Sequence, residues 1–174
     1  MAHDLKRILF TTDLSQQSKQ VFDYAVSLAV KSKATILILH VIEEESSRTK
    51  DIVVDMIGSE AYKKIQEENE SYARNILVGK QKQVPIIKDA LEKLGKQVAT
   101  EKGVSGNQQL IEGVAIRMGH VVDEILEVST EGKCDVIVMG HHQRSMLAKS
   151  IIGSTTRGVM RRTKIPVLIV PLDT

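Results

Sequence analysis

The sequence predicts an α/β protein with a doubly wound parallel sheet and helices on both faces. Three observations support this class. Short apolar runs are continuous rather than alternating, which is typical of strands that are covered on both faces. Segments with helical spacing separate these runs, and most of the links between the elements are short. Strands and helices that alternate in this way favour right-handed crossovers in one sheet.

The strands are predicted from five apolar runs. Four of the runs are clear: Ile8–Phe10, Thr35–Ile42, Asp135–Met139 and Pro166–Val170. The fifth, Val114–Ile116, is shorter and weaker. We therefore expect a single five-stranded sheet in which Val114–Ile116 is the third strand along the chain.

The helices are predicted from apolar stripes between the strands. After Ser15, a candidate N-cap, the apolar residues from Val21 to Ala29 recur at three- and four-residue intervals. Similar stripes follow Gly119 and Gly153. Each stripe is expected to pack on one face of the sheet.

The region between the second and third strands is longer and less regular. Gly58–Gly79 is charged and helix-prone, and Pro85 is expected to break this helix. Ile86–Val98 resumes helical spacing, and Thr100–Gln109 has the composition of a loop. We expect an extended helical or loop segment at about residues 80–109, before the third strand.

Length and composition indicate one globular domain, which we expect to span residues 1–174. The chain has 42% hydrophobic and 26% charged residues, close to the average for such domains. A net charge of +2 and only 3% aromatic residues argue against nucleic acid as a partner, because phosphate contacts and base stacking both lack the necessary side chains.

Cysteine usage and hydropathy indicate the compartment. Cys134 is the single cysteine, so an intrachain disulfide and a multi-cysteine metal site are excluded. No segment resembles a secretory signal, and no run approaches the roughly 18–20 apolar residues of a membrane span. We therefore expect a cytoplasmic protein without membrane insertion.

The candidate site lies at the carboxyl ends of the predicted strands, where open parallel sheets bind their ligands. The residues there are Thr11–Ser15, Val41 and Met139–Gln143, and the last helix opens with Gly153–Thr156. A helix start presents unpartnered N–H groups and a partial positive charge, which together hold phosphate. Plain N-capping without a ligand is the alternative.

These residues resemble the signature G-x2-G-x9-G-[ST] of nucleotide-binding members of the universal stress protein family. Gly140, position 143 and Gly153-Ser154 stand at those spacings. Segments 6–15, 135–140 and 166–170 also resemble the family, so the likeness covers nearly the whole chain. The resemblance to this UspA-like domain implies the adenine nucleotide alpha hydrolase-like fold and a role in the stress response.

The resemblance also implies a pocket for ATP or a related adenine nucleotide, with Mg²⁺ as a companion ion. Thr11, Thr12 and Asp13 would contact the adenosine end, and Val41 would flank the base. Met139 and Gly140 would contact ribose and phosphate. Gly153, Ser154 and Thr155 would hold the phosphates, and Gln143 completes the predicted set.

Gln143 departs from the signature, which has a second glycine at this position. Glycine would let the backbone approach the ligand and would tolerate a positive φ. Gly140–Gln143 resembles the family branch that does not retain ATP, whereas Gly153-Ser154 resembles the branch that does. Two functions stay open: a non-catalytic ATP-binding signalling module, and a nucleotide-free dimeric interaction protein in the stress response.

Other chemically capable residues have simpler interpretations. His141 and His142 could form a metal pair or act as general bases, but adjacent histidines of this kind are more often polar loop residues. Asp13 could bind a ligand or cap the first helix. Cys134 precedes a buried strand and is expected to be a packing residue.

Catalysis is not expected. The sequence has no Walker lysine signature, no Gly-x-Ser-x-Gly motif and no paired carboxylates near the candidate site. We assign no catalytic residue, although slow ATP hydrolysis stays open. An adenylating or electron-carrier enzyme on a similar sheet is a third alternative.

The last strand is expected to lie at an edge of the sheet, because the family topology pairs it on one side only. An apolar edge such as Val167–Val170 promotes aggregation unless something covers it. Relatives pair this strand between two subunits, and a two-fold contact closes such an assembly. The resemblance therefore implies a homodimer through residues from about Pro166 to Leu172.

Overall fold

The computed structural model describes residues 4–43, 58–60, 70–103, 110–142 and 152–172. Five strands form one sheet: β1 (Arg7–Thr12), β2 (Thr35–Glu43), β3 (Ile111–Gly119), β4 (Val136–His142) and β5 (Val167–Leu172). The helices that follow strands or connect them are α1 (Ser18–Ser32), α2 (Glu70–Glu101), α3 (Val121–Glu131) and α4 (Ser154–Arg162). Every strand pair is parallel, which confirms the predicted doubly wound α/β class.

Each face of the sheet has its own apolar core, which explains why the strand sequences are continuously apolar. Side chains alternate along a strand, so Ile8 and Phe10 of β1 belong to one core and Leu9 to the other. The first core includes α1 and α2, and the ring centroids of Phe10 and Phe22 lie 5.0 Å apart in it. The second core includes α3 and α4, with Ile125 among its buried members.

The strand order is β3-β2-β1-β4-β5, so the direction in which the sheet grows reverses between β1 and β4. The chain first extends the sheet from β1 through β2 to β3. It then returns to the other side of β1 to add β4 and β5. The connections on the two sides lie on opposite faces, which leaves a crevice at the carboxyl ends of β1 and β4.

The two edge strands are β3 and β5. β3 is longer than the predicted run Val114–Ile116, and its sequence signal is weak because Glu112, Gly113 and Arg117 interrupt the apolar pattern. An edge strand is half exposed, so it tolerates such residues. β5 lies at the opposite edge, as the sequence predicted.

The prediction that Pro85 breaks the helix is wrong, because α2 runs through Pro85 without interruption. Proline inside a helix loses one backbone hydrogen bond and costs about 3 kcal/mol. The part of α2 after Pro85 buries Leu91 and Val98 against the sheet, and this packing offsets the local cost. The predicted loop also begins later, since α2 ends at Glu101; residues 104–109 lie outside the described ranges.

Asp135 joins the amino ends of β1 and β4, at the opposite end of the sheet from the crevice. Its Oδ2 accepts hydrogen bonds from the backbone N–H groups of Lys6 and Arg7, both at 2.8 Å. Cys134 lies next to Asp135 in the chain and is 6% exposed, and burial raises the pKa of its thiol to about 11. These properties are those of a packing residue.

Within the described residues, no helix combines the length and the apolar character that a membrane crossing requires.

Candidate functional site

A cavity of about 460 Å³ opens at the carboxyl ends of β1 and β4. This volume lies within the range of about 300–1,000 Å³ that is usual for small-molecule sites. All the predicted site residues that the structure describes line the cavity: Thr11, Thr12, Asp13, Val41, Met139, Gly140, Gly153, Ser154 and Thr155. Gln143, the remaining predicted residue, lies outside the described residues. The topology thus brings four separate segments of the sequence to one crevice.

Asp13 shapes the turn between β1 and α1. Its Oδ1 accepts hydrogen bonds from the backbone N–H of Ser15 at 2.9 Å and from the hydroxyl of Ser18 at 2.7 Å. The prediction that Ser15 is the N-cap is wrong, because the helix begins at Ser18 and its N-cap residue is Gln17. Asp13 therefore has a structural role in the turn while it also lines the cavity.

The N-terminus of α4 faces the cavity. Gly153 is its N-cap residue, as the sequence predicted, and its backbone is extended, with φ −61° and ψ 159°. The first turn of α4 contains no acidic residue, whereas Arg161 and Arg162 lie in its last turn. The partial positive charge at the start of the helix is therefore not offset by a carboxylate from that turn.

Gly140 and Gly153 lack a side chain for different reasons. A Cβ at Gly140 would lie 2.9 Å from both Leu172 Cδ1 and Val21 Cγ2, so packing within the protein requires glycine there. A Cβ at Gly153 would have no atom of the described residues within 4 Å, and its φ suits any residue. The described part of the fold therefore does not need glycine at position 153, and it leaves open space beside the start of α4.

His40 lines the cavity from β2. Its Nδ1 lies 2.9 Å from the backbone carbonyl oxygen of Thr12. Because a carbonyl only accepts, Nδ1 carries the proton, and in the neutral ring Nε2 is an acceptor. This tautomer is inferred from the hydrogen bond.

His141 lies at the end of β4 and is 7% exposed, so the prediction that it is a polar loop residue is wrong. Its Nδ1 accepts a long hydrogen bond of 3.5 Å from the backbone N–H of Gly153. Its Nε2 is buried and has no hydrogen-bond partner among the described residues. His141 also lines the cavity, next to the start of α4.

The cavity contains few charges. Its ionisable lining residues are Asp13, Glu43, His40 and His141, and the described lining includes no lysine or arginine. In the described part of the chain, no group of three or more His, Cys, Asp or Glu side chains is placed to hold a metal ion. An anion in this cavity would depend on backbone N–H groups, hydroxyls and the dipole of α4.

Sequence reasoning missed His40 as a cavity residue, and it placed His141 within the candidate stretch Met139–Gln143 without assigning it a ligand contact. His40 is the one polar side chain in an otherwise apolar strand run, 36–42, and this irregularity was an available signal. For His141 the signal was weaker, because the end of β4 could not be located within Gly140–Gln143. Other lining residues, such as Ser18 and Glu43, follow from the positions of α1 and β2.

Comparisons with known proteins agree with this architecture. The model of the universal stress protein family matches residues 4–171. A universal stress protein from Methanocaldococcus jannaschii is 27% identical over 166 residues, which cover 95% of this chain and 94% of the relative. A universal stress protein from Mycobacterium tuberculosis is 27% identical over 169 residues, covering 95% of both chains.

Solved structures show the same fold. A universal stress protein in complex with cAMP has a TM-score of 0.62 at 20% identity, and the match covers 98% of this chain and 100% of that one. The universal stress protein UspA from Lactobacillus plantarum has a TM-score of 0.60 at 20% identity, with 97% and 99% covered. Since the family model matches residues 4–171, from before β1 to within β5, the chain belongs to the universal stress protein family.

Proposed function

We propose that this chain is a non-catalytic module of the stress response that binds ATP or a related adenine nucleotide in the cavity beside α4. One observation carries the proposal: the segments Thr11–Asp13, Val41, Met139-Gly140 and Gly153–Thr155 meet around one cavity. These segments are far apart in the sequence, and the crevice at a reversal of strand order is where such folds bind nucleotides. The bound nucleotide would then bias the conformation of the loops over the sheet.

The start of α4 supports the phosphate end of this proposal. Its N-terminal N–H groups and the hydroxyls of Ser154 and Thr155 supply donors at the cavity. The open space at Gly153 lets a phosphate approach the backbone closely. The helix dipole supplies favourable electrostatics where lysine and arginine are missing from the described lining.

The aliphatic part of the cavity lining supports the base end. Leu39, Val41, Val121 and Ile125 give it an aliphatic wall, which suits the flat apolar face of a base. A universal stress protein of the same fold was solved in complex with cAMP, so this fold can hold an adenine nucleotide.

Mg²⁺ fits the proposal only as a companion of the nucleotide. Mg²⁺ is commonly held by one or two carboxylates together with substrate phosphates. Asp13 and Glu43 are the carboxylates that line the cavity and could contribute in this way. We assign binding without turnover, because the described lining contains no lysine or arginine that could stabilise charge on a transferring phosphoryl group.

Equilibrium dialysis with labelled ATP tests the proposal, with Gly153→Val as the key variant. Valine at position 153 would occupy the open space beside α4 and should abolish binding while the fold persists. Gly113→Val on β3 is the matched control, because a Cβ there makes only an ordinary 3.9 Å contact and the residue lies outside the cavity lining. Unchanged ATP affinity in Gly153→Val would remove the pocket assignment, and steady release of ADP by the wild type would contradict the non-catalytic role.

The alternative is a nucleotide-free dimeric interaction protein. Gln143 at the position of a signature glycine favours it. This alternative predicts no retained ATP in dialysis and the same subunit assembly, so the dialysis result separates the two functions.

We also infer a homodimer through β5, from about Pro166 to Leu172. β5 is an edge strand, and Leu168, its second residue, is 38% exposed, so unpaired backbone groups and an apolar side chain lie together. Pro166 and Pro171 lack a backbone N–H and limit pairing at both ends of the strand. Pairing between two copies around a two-fold axis would cover both β5 edges and close the contact at two subunits.

A further inference from the structure

His141 links the end of β4 to the start of α4. Residues 137, 139 and 141 of β4 alternate onto one face, and Ile137 and Met139 belong to the core beneath α3 and α4. The His141 ring therefore lies on the α4 side, where the Gly153 N–H donates to its Nδ1. Gly153 is the N-cap residue of α4, so the ring contacts the helix start directly.

This hydrogen bond defines the state of the ring when no ligand is present. Since Gly153 N–H is a donor, Nδ1 must be a bare acceptor, and in the neutral ring the proton sits on Nε2. That Nε2–H is buried without an acceptor among the described residues. Native proteins leave few buried donors unpaired, so each one requires an explanation.

A phosphate at the start of α4 would change Nδ1 from an acceptor to a donor and would offer an acceptor to the unpaired Nε2–H. Its oxygens accept hydrogen bonds and would compete with Nδ1 for the Gly153 N–H, and the present bond is long, at 3.5 Å. Once Nδ1 loses this donor, it can take a proton from solvent. The resulting imidazolium has two N–H donors, and the phosphate supplies acceptors for them.

The charges around the cavity favour this proton uptake. Facing the cavity are Asp13 from the turn after β1 and Glu43 and His40 from β2. The α3 residues in the lining, Val121 and Ile125, are apolar, and Ser154, Thr155 and Thr156 of α4 are uncharged. The described lining contains no lysine or arginine. A protonated histidine is therefore the side chain of this lining that can present a positive charge to a phosphate.

We propose that His141 is a phosphate-contacting residue of this site: phosphate takes over the Gly153 N–H, and His141 takes up one proton and donates to that phosphate. The inference rests on the proposed nucleotide site. The proton comes from solvent and forms the Nδ1–H bond, and no other covalent bond is formed or broken. Because binding takes up this proton, it is linked to pH. Because the protonated ring is the form that the complex prefers, ATP affinity rises as pH falls.

The test is calorimetric titration of the full chain with ATP in buffers of different ionisation enthalpy, which counts the protons taken up on binding. His141→Asn is the key variant, because its amide oxygen can still accept from the Gly153 N–H but the side chain cannot be protonated. The wild type should take up a fraction of a proton that His141→Asn does not, and its affinity should fall by up to about tenfold per pH unit toward high pH. The terminal phosphate of ATP also takes up a proton near pH 6. The quantity to compare is therefore the difference in proton uptake between wild type and variant.

Two further variants make the outcome decisive. His120→Asn is the control, because His120 lies outside the cavity lining, with its Nδ1 3.2 Å from Oδ2 of Asp123. This substitution should leave proton uptake on ATP binding unchanged. Loss of proton uptake in His40→Asn with retention in His141→Asn would overturn the inference, as would equal uptake in wild type and His141→Asn. If the wild type binds no ATP at all, the proposed function fails first; ATP binding without His141-dependent uptake contradicts this inference alone.

Discussion

Gly140 and Leu172 pack so closely that a methyl group on Gly140 would lie 2.9 Å from Cδ1 of Leu172. The stiff side chain of Val21 approaches the same point equally closely, and both neighbours are 2% exposed. Gly140→Ala should therefore lower the free energy of unfolding by about 1–3 kcal/mol, as overpacking usually does. Urea denaturation measures this change, and Gly113→Ala, whose Cβ has room, should not destabilise.

The same pair predicts non-additivity. Leu172→Ala alone should destabilise by opening a cavity, but in the Gly140→Ala background it also relieves the clash. The double variant should be more stable than the sum of the two single effects implies. Strictly additive effects would mean that Gly140 is required for another reason.

The strands and the location of the site could be predicted from sequence because both follow from local rules. A strand covered on both faces must be apolar at every position, and ligands gather where strand order reverses. Gly153 could be placed in the site because its signature position is also a helix N-cap. These features depend on short segments and not on how distant side chains pack.

Features that depend on tertiary contacts were missed. The helix continues through Pro85 because Leu91 and Val98 pack on the sheet. The rule that proline breaks a helix considers the local backbone alone and leaves this packing energy out. Ser15 looked like an N-cap, but the Asp13 side chain forms the turn and delays the helix to Ser18. The burial of His141 depends on where β4 ends, which sequence patterns locate poorly.

Gln143→Gly should tighten ATP binding. The prediction comes from the sequence signature, since Gln143 lies outside the described residues. Glycine at this signature position removes the side chain and allows a positive φ. We expect ATP affinity to rise on the order of tenfold, equivalent to about 1.4 kcal/mol. Equilibrium dialysis measures it, with Gln143→Ala as the control that removes the side chain but keeps the backbone restriction.

The outcomes of the Gln143 variants separate three roles. Equal gains in both variants would assign the effect to the glutamine side chain, and a gain in Gln143→Gly alone would assign it to backbone freedom. Unchanged or weaker binding in both would show that Gln143 is tolerated or donates to the ligand.

Cys134 should react slowly with thiol reagents in the folded protein. Burial raises the pKa of its thiol from 9.0 to about 11, so below pH 9 the thiolate fraction is about a hundredfold lower than for a free thiol. Labelling with a disulfide reagent at pH 8 should therefore be slower by at least this factor than in urea. Comparable rates in the folded and unfolded chain would contradict the burial of Cys134.

The same pKa shift predicts a loss of stability at alkaline pH. An unfolded thiol releases its proton near pH 9 and the folded one near pH 11, so deprotonation favours the unfolded state as pH rises through this window. Between pH 8 and pH 10, the urea midpoint of unfolding should fall further for the wild type than for Cys134→Ala. Parallel falls in both proteins would assign the alkaline sensitivity to other groups.

Leu168→Lys should convert the proposed dimer into monomers. Leu168 is 38% exposed on the edge strand β5. The proposed pairing with a second copy would cover this leucine in the wild type and would place a lysine of each copy at the interface in the variant. The like charges and the lost apolar contact both weaken the pairing, independently of nucleotide. Val30→Lys is a matched control, because Val30 is 39% exposed but belongs to α1 and not to the edge strand. Sedimentation velocity at micromolar concentration should give a dimer for the wild type and for Val30→Lys, and a monomer or insoluble protein for Leu168→Lys. A monomeric wild type, or a Leu168→Lys variant that remains a soluble dimer, would rule out assembly through β5.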